Sequence, residues 1–386
     1  MAPVLKSKIA IVGGGPAGCI CAYFLKQKGF QPVIFEKNSP LKTLLPTGGG
    51  RCNLAQAEFD LRELAANYPR GEKFLYSVFS KFSTAETLEF FEKIGVKTYV
   101  QDDFRIFPVS DSASDVRRMI LEAISGVRIC RENVCAIKVL QGGFEVRSES
   151  CAYFFDKVVV AIGGHSAFEI LKGLGHTILP PVPALCALKT KENLSELAGV
   201  SIQYARAQFG KKSLCGDLLF THHGVSGPLI YKISSLMARE SFPYKISFDF
   251  VGEIELQEIL NSNPHKSIKN LLAEFVPKSF VQYILRVSAI DENLKASQIN
   301  GKVRDKILKS LTAFEITVIS ASKGGEVVTC GGVSLDEVNS KTMQSKLVKD
   351  LFFCGEVLDI DGFCGGFNLQ NCWSTGFLAA QGAGNE

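Results

Sequence analysis

The 386-residue sequence lacks the marks of zinc-binding, disulfide-bonded and membrane-spanning proteins. Its twelve cysteines include no CxxC pair, and its five histidines form no Cys/His group with zinc-site spacing, so we expect no metal. The first apolar run is broken at Gly13 after four residues, and no later run reaches the roughly 18 residues that a bilayer span requires. We therefore predict free, reduced cysteines, a cytoplasmic location and no membrane partner.

Strong charge of one sign is also missing. Lys and Arg number 43 against 39 Asp and Glu, and the formal net charge of +4 includes no dense basic run. This balance tolerates an anionic partner, such as a phosphate-bearing cofactor or RNA, without requiring one. A hydrophobic fraction of 46% argues against disorder, and the length predicts two or three structural units.

The N-terminal region has the pattern of a βαβ unit. A β-branched run, KIAIV, precedes a glycine-rich turn, a helical segment ends before Gly29, and a second strand-like run, PVIFE, ends at Glu36. Strand, helix and strand within about 30 residues predict the smallest piece of a doubly wound parallel sheet.

The turn has the spacing GxGxxG, with a separate reason for each glycine. Gly13 permits the tight turn, Gly15 lets a pyrophosphate approach the backbone, and Gly18 lets the helix pack closely on the strand. Pro16 and Ala17 open the helix, whose free N–H groups attract phosphate. These five positions predict dinucleotide binding, with a purely structural turn as the alternative.

Carboxylate chemistry supports the same prediction. Glu36 ends the second strand 18 residues after Gly18 and can accept hydrogen bonds from ribose hydroxyls. We include the neighbouring Lys37, and Val134 in a later strand-like segment, among the predicted cofactor contacts.

The remainder of the chain favours FAD over NAD as the bound dinucleotide. A strand runs into glycine twice more, at Gly163 and at Gly355, and the second is followed by the acids Glu356 and Asp361. This second run resembles the late motif of two-domain flavoproteins, which implies that an acid after the glycine holds the ribityl chain of the flavin. The chain then passes through Gly366 and Asn368 into a final helix, whose N-terminus would stabilise negative charge on a reduced flavin.

Three segments together resemble a known family. GGGRCN (48–53), LLFTHHGVSGP (218–228) and the long run GGVSLDEVNSKTMQSKLVKDLFFCGEVLDIDGFCGGFNLQ (331–370) are similar to the HI0933-like, or BaiN-type, family of NAD(P)/FAD-dependent oxidoreductases. The resemblance covers nearly the whole chain. It implies an α/β fold in which a discontinuous Rossmann-like FAD-binding domain carries an inserted β-barrel-like domain and a small helical domain.

Composition places the domain boundaries consistently with that fold. Three prolines in four residues (180–183) interrupt the first domain. We predict the FAD-binding domain at 1–183 and 331–386, the inserted β domain at 184–252 and 311–330, and the helical subdomain at 253–310.

The resemblance also implies site residues around GGGRCN, where Arg51 and Asn53 would lie beside the flavin. We add Gly50 and Cys52 to the cofactor set. A surface salt bridge is the alternative for Arg51, and Cys52 is either a redox thiol or a packing residue. His222, in a polar loop of the insert, is the first candidate for a proton donor, with a simple turn as the alternative.

We predict that FAD exchanges a hydride with a substrate held by the inserted domain, with NAD(P)H as the transient reductant, because no second GxGxxG exists. The substrate is a small molecule in one hypothesis. In the other it is ribosomal RNA, whose uridine is reduced to dihydrouridine. A lysine-rich helical segment (Lys266, Lys269, Lys278, Lys295, Lys302, Lys306, Lys309) suits RNA or is a solvated face. A non-enzymatic flavin module is the third alternative, and the sequence does not define the oligomeric state.

Overall fold

The computed structural model describes residues 8–164, 167–322 and 328–385. Its strands are β1 (Ile9–Val12), β2 (Val33–Phe35), β3 (Ala55–Gln56), β4 (Thr98–Val100), β5 (Arg105–Pro108), β6 (Arg128–Cys130), β7 (Val134–Leu140), β8 (Gly143–Ser148), β9 (Ala152–Phe155), β10 (Lys157–Val160), β11 (Ile178–Ala184), β12 (Leu188–Thr190), β13 (Ser201–Phe209), β14 (Lys212–Thr221), β15 (Gly224–Ser226), β16 (Tyr244–Asp249), β17 (Phe314–Ala321), β18 (Val328–Val333) and β19 (Leu351–Phe353). Its helices are α1 (Pro16–Gln27), α2 (Leu61–Ala66), α3 (Glu72–Phe79), α4 (Thr84–Lys93), α5 (Ala113–Ala123), α6 (Phe168–Gly173), α7 (Pro228–Leu236), α8 (Leu256–Ser262), α9 (Ile268–Leu272), α10 (Lys278–Val287), α11 (Gly301–Thr312) and α12 (Phe367–Ala383).

The chain divides into two compact units. The first, the nucleotide unit, comprises residues 1–182 and 329–386, and the second, the barrel unit, comprises residues 183–328. The chain leaves and re-enters the nucleotide unit through β11 and β18, which pair with each other. A run of prolines is tolerated in β11 because a two-stranded ribbon leaves N–H positions without a sheet partner.

A five-stranded parallel sheet forms the centre of the nucleotide unit, in the order β19-β10-β1-β2-β6. All four residues of β1 are buried, as the unbroken β-branched run predicts for a strand covered on both faces. Helices α1 and α12 lie against each other, and Gly376 permits the contact: a Cβ there would lie 2.6 Å from the Ala17 carbonyl oxygen. This close approach brings the first turn of α1 beside the strand-to-glycine turn after β19.

Two features of the nucleotide unit depend on particular contacts. Residues 72–93 contain two helices, because Ser83 and Glu86 form a capping box that starts α4 anew. The segment Arg128–Cys130 forms β6, which pairs in parallel with β2 at the edge of the main sheet. A separate meander consists of β7, β8 and β9.

The barrel unit is built on a closed barrel of six strands in the order β12-β15-β14-β13-β16-β17. The helices α8 to α11 share one hydrophobic core with it. Phe280 of α10, for example, stacks on Phe220 of β14 at 5.7 Å and meets Phe314 of β17 edge-on at 5.4 Å, both between ring centroids. The predicted architecture of a Rossmann-like domain interrupted by a barrel and helices is confirmed.

The helices give no sign of a membrane segment. Within the described ranges, none is long and apolar enough to cross a bilayer. The cytoplasmic location stays a prediction.

Candidate active site

The glycine turn has the geometry that its spacing predicts. A Cβ at Gly13, where φ is +110°, would lie 2.2 Å from the Ala161 carbonyl oxygen, and a Cβ at Gly18 would lie 2.0 Å from the Gly13 oxygen. These two glycines therefore allow strand, turn and helix to touch. Gly15 differs, because the nearest atom to its Cβ position is 3.9 Å away, so its backbone borders open space at the N-terminus of α1.

Glu36 is held by backbone amides at the end of β2. The Gly14 N–H donates to its Oε2 at 2.8 Å, and the Asn38 N–H donates to its Oε1 at 2.6 Å. A carboxylate that accepts one hydrogen bond at each oxygen still has free lone pairs. These can accept from further donors, such as the hydroxyls of a ribose. The predicted role of Glu36 is thus geometrically available.

Two cavities meet at this carboxylate. One, of about 260 Å³, is the phosphate cavity, and it is lined by Gly13–Ala17, Glu36–Ser39, Leu41–Thr43, Ala161–Gly164, Cys354–Glu356 and Cys372. The other, of about 360 Å³, is the adenine cavity, and it is lined by Val12, Gly13, Phe35–Lys37, Glu132–Cys135, Ile162, Ala167, Glu169 and Ile170. Gly13, Glu36, Lys37 and Ile162 border both, so the two cavities adjoin, and we refer to them together as the channel.

This channel brings together most of the predicted cofactor contacts. Gly13, Gly15, Pro16, Ala17, Glu36, Lys37, Val134, Gly163, Gly355 and Glu356 all line it. They come from five separate segments that the parallel sheet gathers at the carboxyl ends of its strands, where open α/β sheets bind ligands. Sequence reasoning missed Thr43 and Cys372, which carry no motif signal of their own.

Gly18 does not line the channel, because it packs against the Gly13 carbonyl oxygen. The loop carrying Gly50, Arg51, Cys52 and Asn53 also does not line the channel. The Arg51 guanidinium lies 4.1 Å from the centre of the Phe107 ring and 3.8 Å from a carboxylate oxygen of Asp111. In the described residues this cation therefore lies beside an aromatic ring and a carboxylate, and its contact with the cofactor stays a prediction.

Asn53 connects that loop to the start of α12. In the amide orientation that satisfies both ends, its nitrogen donates to the carbonyls of Ala55 at 2.9 Å and Ile106 at 3.2 Å, and its oxygen accepts from the Gly366 N–H at 3.0 Å. Gly366 itself has φ of +92°, and a Cβ there would lie 2.6 Å from the Ala55 backbone. Asn53 and Gly366, both predicted cofactor contacts, thus fix the backbone at the start of α12.

Asp361 differs from its predicted role. Its fully buried carboxylate forms a forked ion pair with the guanidinium of Arg70, a residue that sequence reasoning overlooked. It does not line the channel, because the chain turns inward after Glu356. Asn368 is also engaged: its amide exchanges two 2.9 Å hydrogen bonds with the Gly362 backbone.

Cys52 is buried, and burial raises the pKa of its thiol to about 12, although a hydrogen bond from Thr47 opposes the shift. Such a thiol is protonated at neutral pH and is a poor nucleophile. The geometry favours packing over a redox role for this residue.

His222 occupies the two-residue turn between β14 and β15 and is exposed. Its proposed role as proton donor stays a prediction. No group of three or more His, Cys, Asp and Glu side chains in the described ranges could hold a metal ion.

A parallel α/β sheet with a glycine turn, an acid at the end of its second strand and a split chain is typical of two-domain flavin oxidoreductases. Two solved structures have a similar fold. The open conformation of a flavocytochrome c3 fumarate reductase aligns with a TM-score of 0.53 at 14% identity, over 99% of this chain and 79% of that one. A 3-ketosteroid-Δ4-(5α)-dehydrogenase from Rhodococcus jostii RHA1 aligns at 0.51 and 11% identity, over 100% and 99%.

The sequence comparisons narrow the class to one family. The profile described as HI0933-like protein Rossmann domain matches residues 7–382. The chain is 30% identical to the 3-dehydro-bile acid Δ(4,6)-reductase of Clostridium scindens, covering 98% of this chain and 99% of the relative. It is 28% identical to the ribosomal RNA dihydrouridine synthase of Escherichia coli, covering 96% of each. The chain belongs to the HI0933-like family, and the predicted class of FAD-dependent oxidoreductase is confirmed.

Proposed function

We propose that this enzyme uses FAD, bound in the phosphate and adenine cavities, to reduce a carbon–carbon double bond conjugated with a carbonyl group, with NAD(P)H as the reductant. The observation that carries the proposal is the channel that joins the Gly15 cradle to the Glu36 carboxylate. The names of two relatives support the reaction type, because a 3-dehydro-bile acid Δ(4,6)-reductase and a dihydrouridine synthase both reduce such a bond.

The residues of the nucleotide unit bind and orient the cofactor. The N-terminus of α1 would hold the pyrophosphate, Glu36 would accept from the ribose, and the residues around Val134 would hold the adenine. Glu356, which lines the phosphate cavity, would accept from the ribityl hydroxyls. Bound FAD supplies hydride chemistry that no amino-acid side chain provides.

Reduction of the substrate needs a hydride at the carbon β to the carbonyl and a proton at the α carbon. We assign the substrate to the barrel unit and the proton to His222, whose imidazole lies exposed in the β14–β15 turn. Because the sequence contains no second GxGxxG, NAD(P)H would have to visit the substrate's place and leave before the substrate binds.

The test begins with the purified, well-folded protein. We expect it to be yellow and to release FAD on denaturation, and the FAD should be reduced anaerobically by NADH or NADPH. A 3-oxo-Δ4 steroid should then reoxidise it. A colourless protein that refuses added FAD would contradict the cofactor assignment. Reduction without reoxidation by any conjugated ketone would contradict the reaction.

Ribosomal RNA is the second candidate substrate. Residues 183–328 contain 18 Lys and Arg against 14 Asp and Glu, so the barrel unit carries a formal charge equal to the +4 of the whole chain. Besides the Escherichia coli relative, the ribosomal RNA dihydrouridine synthase of Haemophilus influenzae is 27% identical over 97% of this chain. Loss of a dihydrouridine from the ribosomal RNA of a deletion strain would favour this candidate over a small molecule.

The seven predicted lysines divide into two groups. Lys266 pairs with Glu274, and the Lys269 ammonium lies 2.9 Å from Glu292, so these two are neutralised within the helical segment. The other five are exposed, and three of them lie along α11: Lys278, Lys295, Lys302, Lys306 and Lys309. A solvated face accounts for these five, so charge alone does not identify an RNA surface.

A further inference from the structure

The hairpin formed by β13 and β14 presents an unusual aromatic side chain on the outside of the barrel. Tyr204 exposes 83% of its surface and has φ of +53°, a left-handed conformation that is unfavourable for a bulky residue. The ladder between the strands shifts register between Ile202 and Ala205, so Tyr204 belongs to a β-bulge. Bulges redirect side chains, and this one turns an apolar ring into solvent.

The conformation of Tyr204 is held from the opposite strand. Its N–H donates to a carboxylate oxygen of Asp217 at 3.1 Å, across the bulge. The ring gains nothing from burial, and the backbone is kept in a strained region by a specific hydrogen bond. Strain of this kind points to a use for the side chain beyond the stability of the fold.

Cations follow the tyrosine along the same hairpin. Arg206 is exposed two residues after Tyr204, and Lys211 and Lys212 are exposed at the turn. In the part of the chain that the structure describes, none of these three side chains has an ion pair or a hydrogen bond. We define the hairpin strip as Tyr204, Arg206, Gln208, Lys211 and Lys212.

Two carboxylates lie near the strip, and both accept from backbone N–H groups. Asp217 accepts from Tyr204, as described. Asp249 lies opposite Arg206 on β16, and its Oδ1 accepts from the N–H groups of Val251 and Gly252 at 3.1 and 2.8 Å. The strip therefore keeps an excess of positive charge beside a free aromatic face.

We propose that the hairpin strip binds single-stranded RNA, with Tyr204 as a stacking platform for one base and the three cations as contacts to the backbone phosphates. Aromatic rings stack on any base, and a track of Arg and Lys follows the phosphates, which is the usual composition of a single-strand surface. From Tyr204 to Phe209 the strand is on the order of 16 Å long. The inference rests on the second candidate function, that of an RNA-modifying enzyme.

The test measures binding of the flavin-loaded protein to a labelled oligouridine of about 12 nucleotides by fluorescence anisotropy at several salt concentrations. We expect Tyr204→Ala to weaken binding about 5-fold to 100-fold with little change in the salt slope, because stacking is lost. Tyr204→Phe should bind as the wild type does, since stacking does not need the hydroxyl.

A pair of triple variants separates this surface from general electrostatics. Changing Arg206, Lys211 and Lys212 to Ala should reduce the slope of log K against log salt by about 2, as expected for three lost phosphate contacts on a single strand. Changing Lys302, Lys306 and Lys309 to Ala removes the same charge from α11 and should leave the slope nearly unchanged.

Equal losses in the two triple variants, or full binding by Tyr204→Ala, would overturn the proposal, as would a wild-type protein that binds no RNA. The reaction and the binding surface are tested separately. If RNA binds the strip but no dihydrouridine forms, the surface is supported and the reaction is contradicted. If all strip variants form dihydrouridine at wild-type rates, the reaction is supported and the surface is contradicted. The flavin absorption spectrum of each variant checks that it is folded.

Discussion

Gly15 offers a substitution that separates cofactor binding from folding. Its backbone, with φ of −79° and ψ of −172°, is open to any residue, and its Cβ position has no neighbour within 3.9 Å. Gly15→Ala should therefore place a methyl group in the phosphate cavity without moving the protein. Gly18→Ala is the matched control, because its methyl group would lie 2.0 Å from the Gly13 oxygen.

The magnitudes follow from these two environments. In the apoprotein, Gly15→Ala lowers the entropy of the unfolded chain, which stabilises by about 0.4–1 kcal/mol, while Ala is a poorer N-cap than Gly by a similar amount. The free energy of unfolding should thus change by less than about 1 kcal/mol. Loss of one or two hydrogen bonds to a charged pyrophosphate costs about 1.5–3 kcal/mol, which predicts FAD affinity lower by roughly 10- to 100-fold. Gly18→Ala should instead destabilise the apoprotein by about 1–3 kcal/mol.

Urea unfolding of both apoproteins, and titration of FAD followed by quenching of its fluorescence, provide the two quantities. The interpretation of the cradle is refuted if Gly15→Ala binds FAD as tightly as the wild type. It is also refuted if this variant is destabilised as much as Gly18→Ala, because the space beside Gly15 would then not be open.

Four further predictions concern the buried and the candidate catalytic groups. Arg70→Met leaves the Asp361 carboxylate buried without its partner, and urea unfolding should show a loss of about 3–5 kcal/mol that a simultaneous Asp361→Leu largely restores; an unchanged stability would mean that the pair is solvated. Cys52→Ser should keep steady-state turnover, because burial raises the pKa of this thiol to about 12, and only a turnover-dead variant with normal flavin content would reinstate a redox role. Burial lowers the pKa of His176, so the unfolded state binds the extra proton. The free energy of unfolding should therefore fall as pH decreases through about 6.5 and below. The same pH series on His176→Gln should be flatter, and equal slopes for the two proteins would contradict this assignment. His222→Gln should leave flavin reduction by NAD(P)H unchanged and slow reoxidation by substrate about 10²- to 10⁴-fold in stopped-flow measurements, and equal effects on both half-reactions would argue against proton donation.

The parts of the fold that the sequence predicts are those set by local chemistry. The βαβ unit follows from a β-branched run, a GxGxxG turn and an acid, all within 30 residues, and the structure reproduces each of them. The division of 72–95 into two helices depends on one cap at Ser83, which is also local and could have been found from the Ser–Glu spacing. The place of β6 in the parallel sheet could not have been found from local spacing, because its partner β2 is about 95 residues away.

The predicted site residues also fall into those placed by a local motif and those placed by contacts elsewhere in the chain. Residues that border the channel do so through the backbone or at a strand end, where the motif itself fixes the position. The resemblance to the family predicts Asn53 as a cofactor contact, and the position after the strand-to-glycine turn at Gly355 predicts Asp361 and Asn368. In the structure each of them holds a loop: Asn53 binds the backbone around Gly366, Asn368 binds Gly362, and Asp361 binds Arg70.

These loop contacts have a functional consequence even though they do not reach the channel. The segment between Gly355 and α12 contains several backbone conformations that only glycine adopts comfortably, and side chains hold it at three points. Asn53 and Arg70 come from distant parts of the chain, and Asn368 is local. The Tyr68 hydroxyl adds a fourth, donating to the Phe367 carbonyl at 2.6 Å. Each contact joins residues separated by hundreds of positions or closes a local turn, so no spacing rule identifies the partners. Because the same segment delivers Glu356 to the phosphate cavity, a substitution at Asn53 or Asp361 should weaken FAD binding indirectly, by releasing backbone that a preorganised site needs to keep fixed.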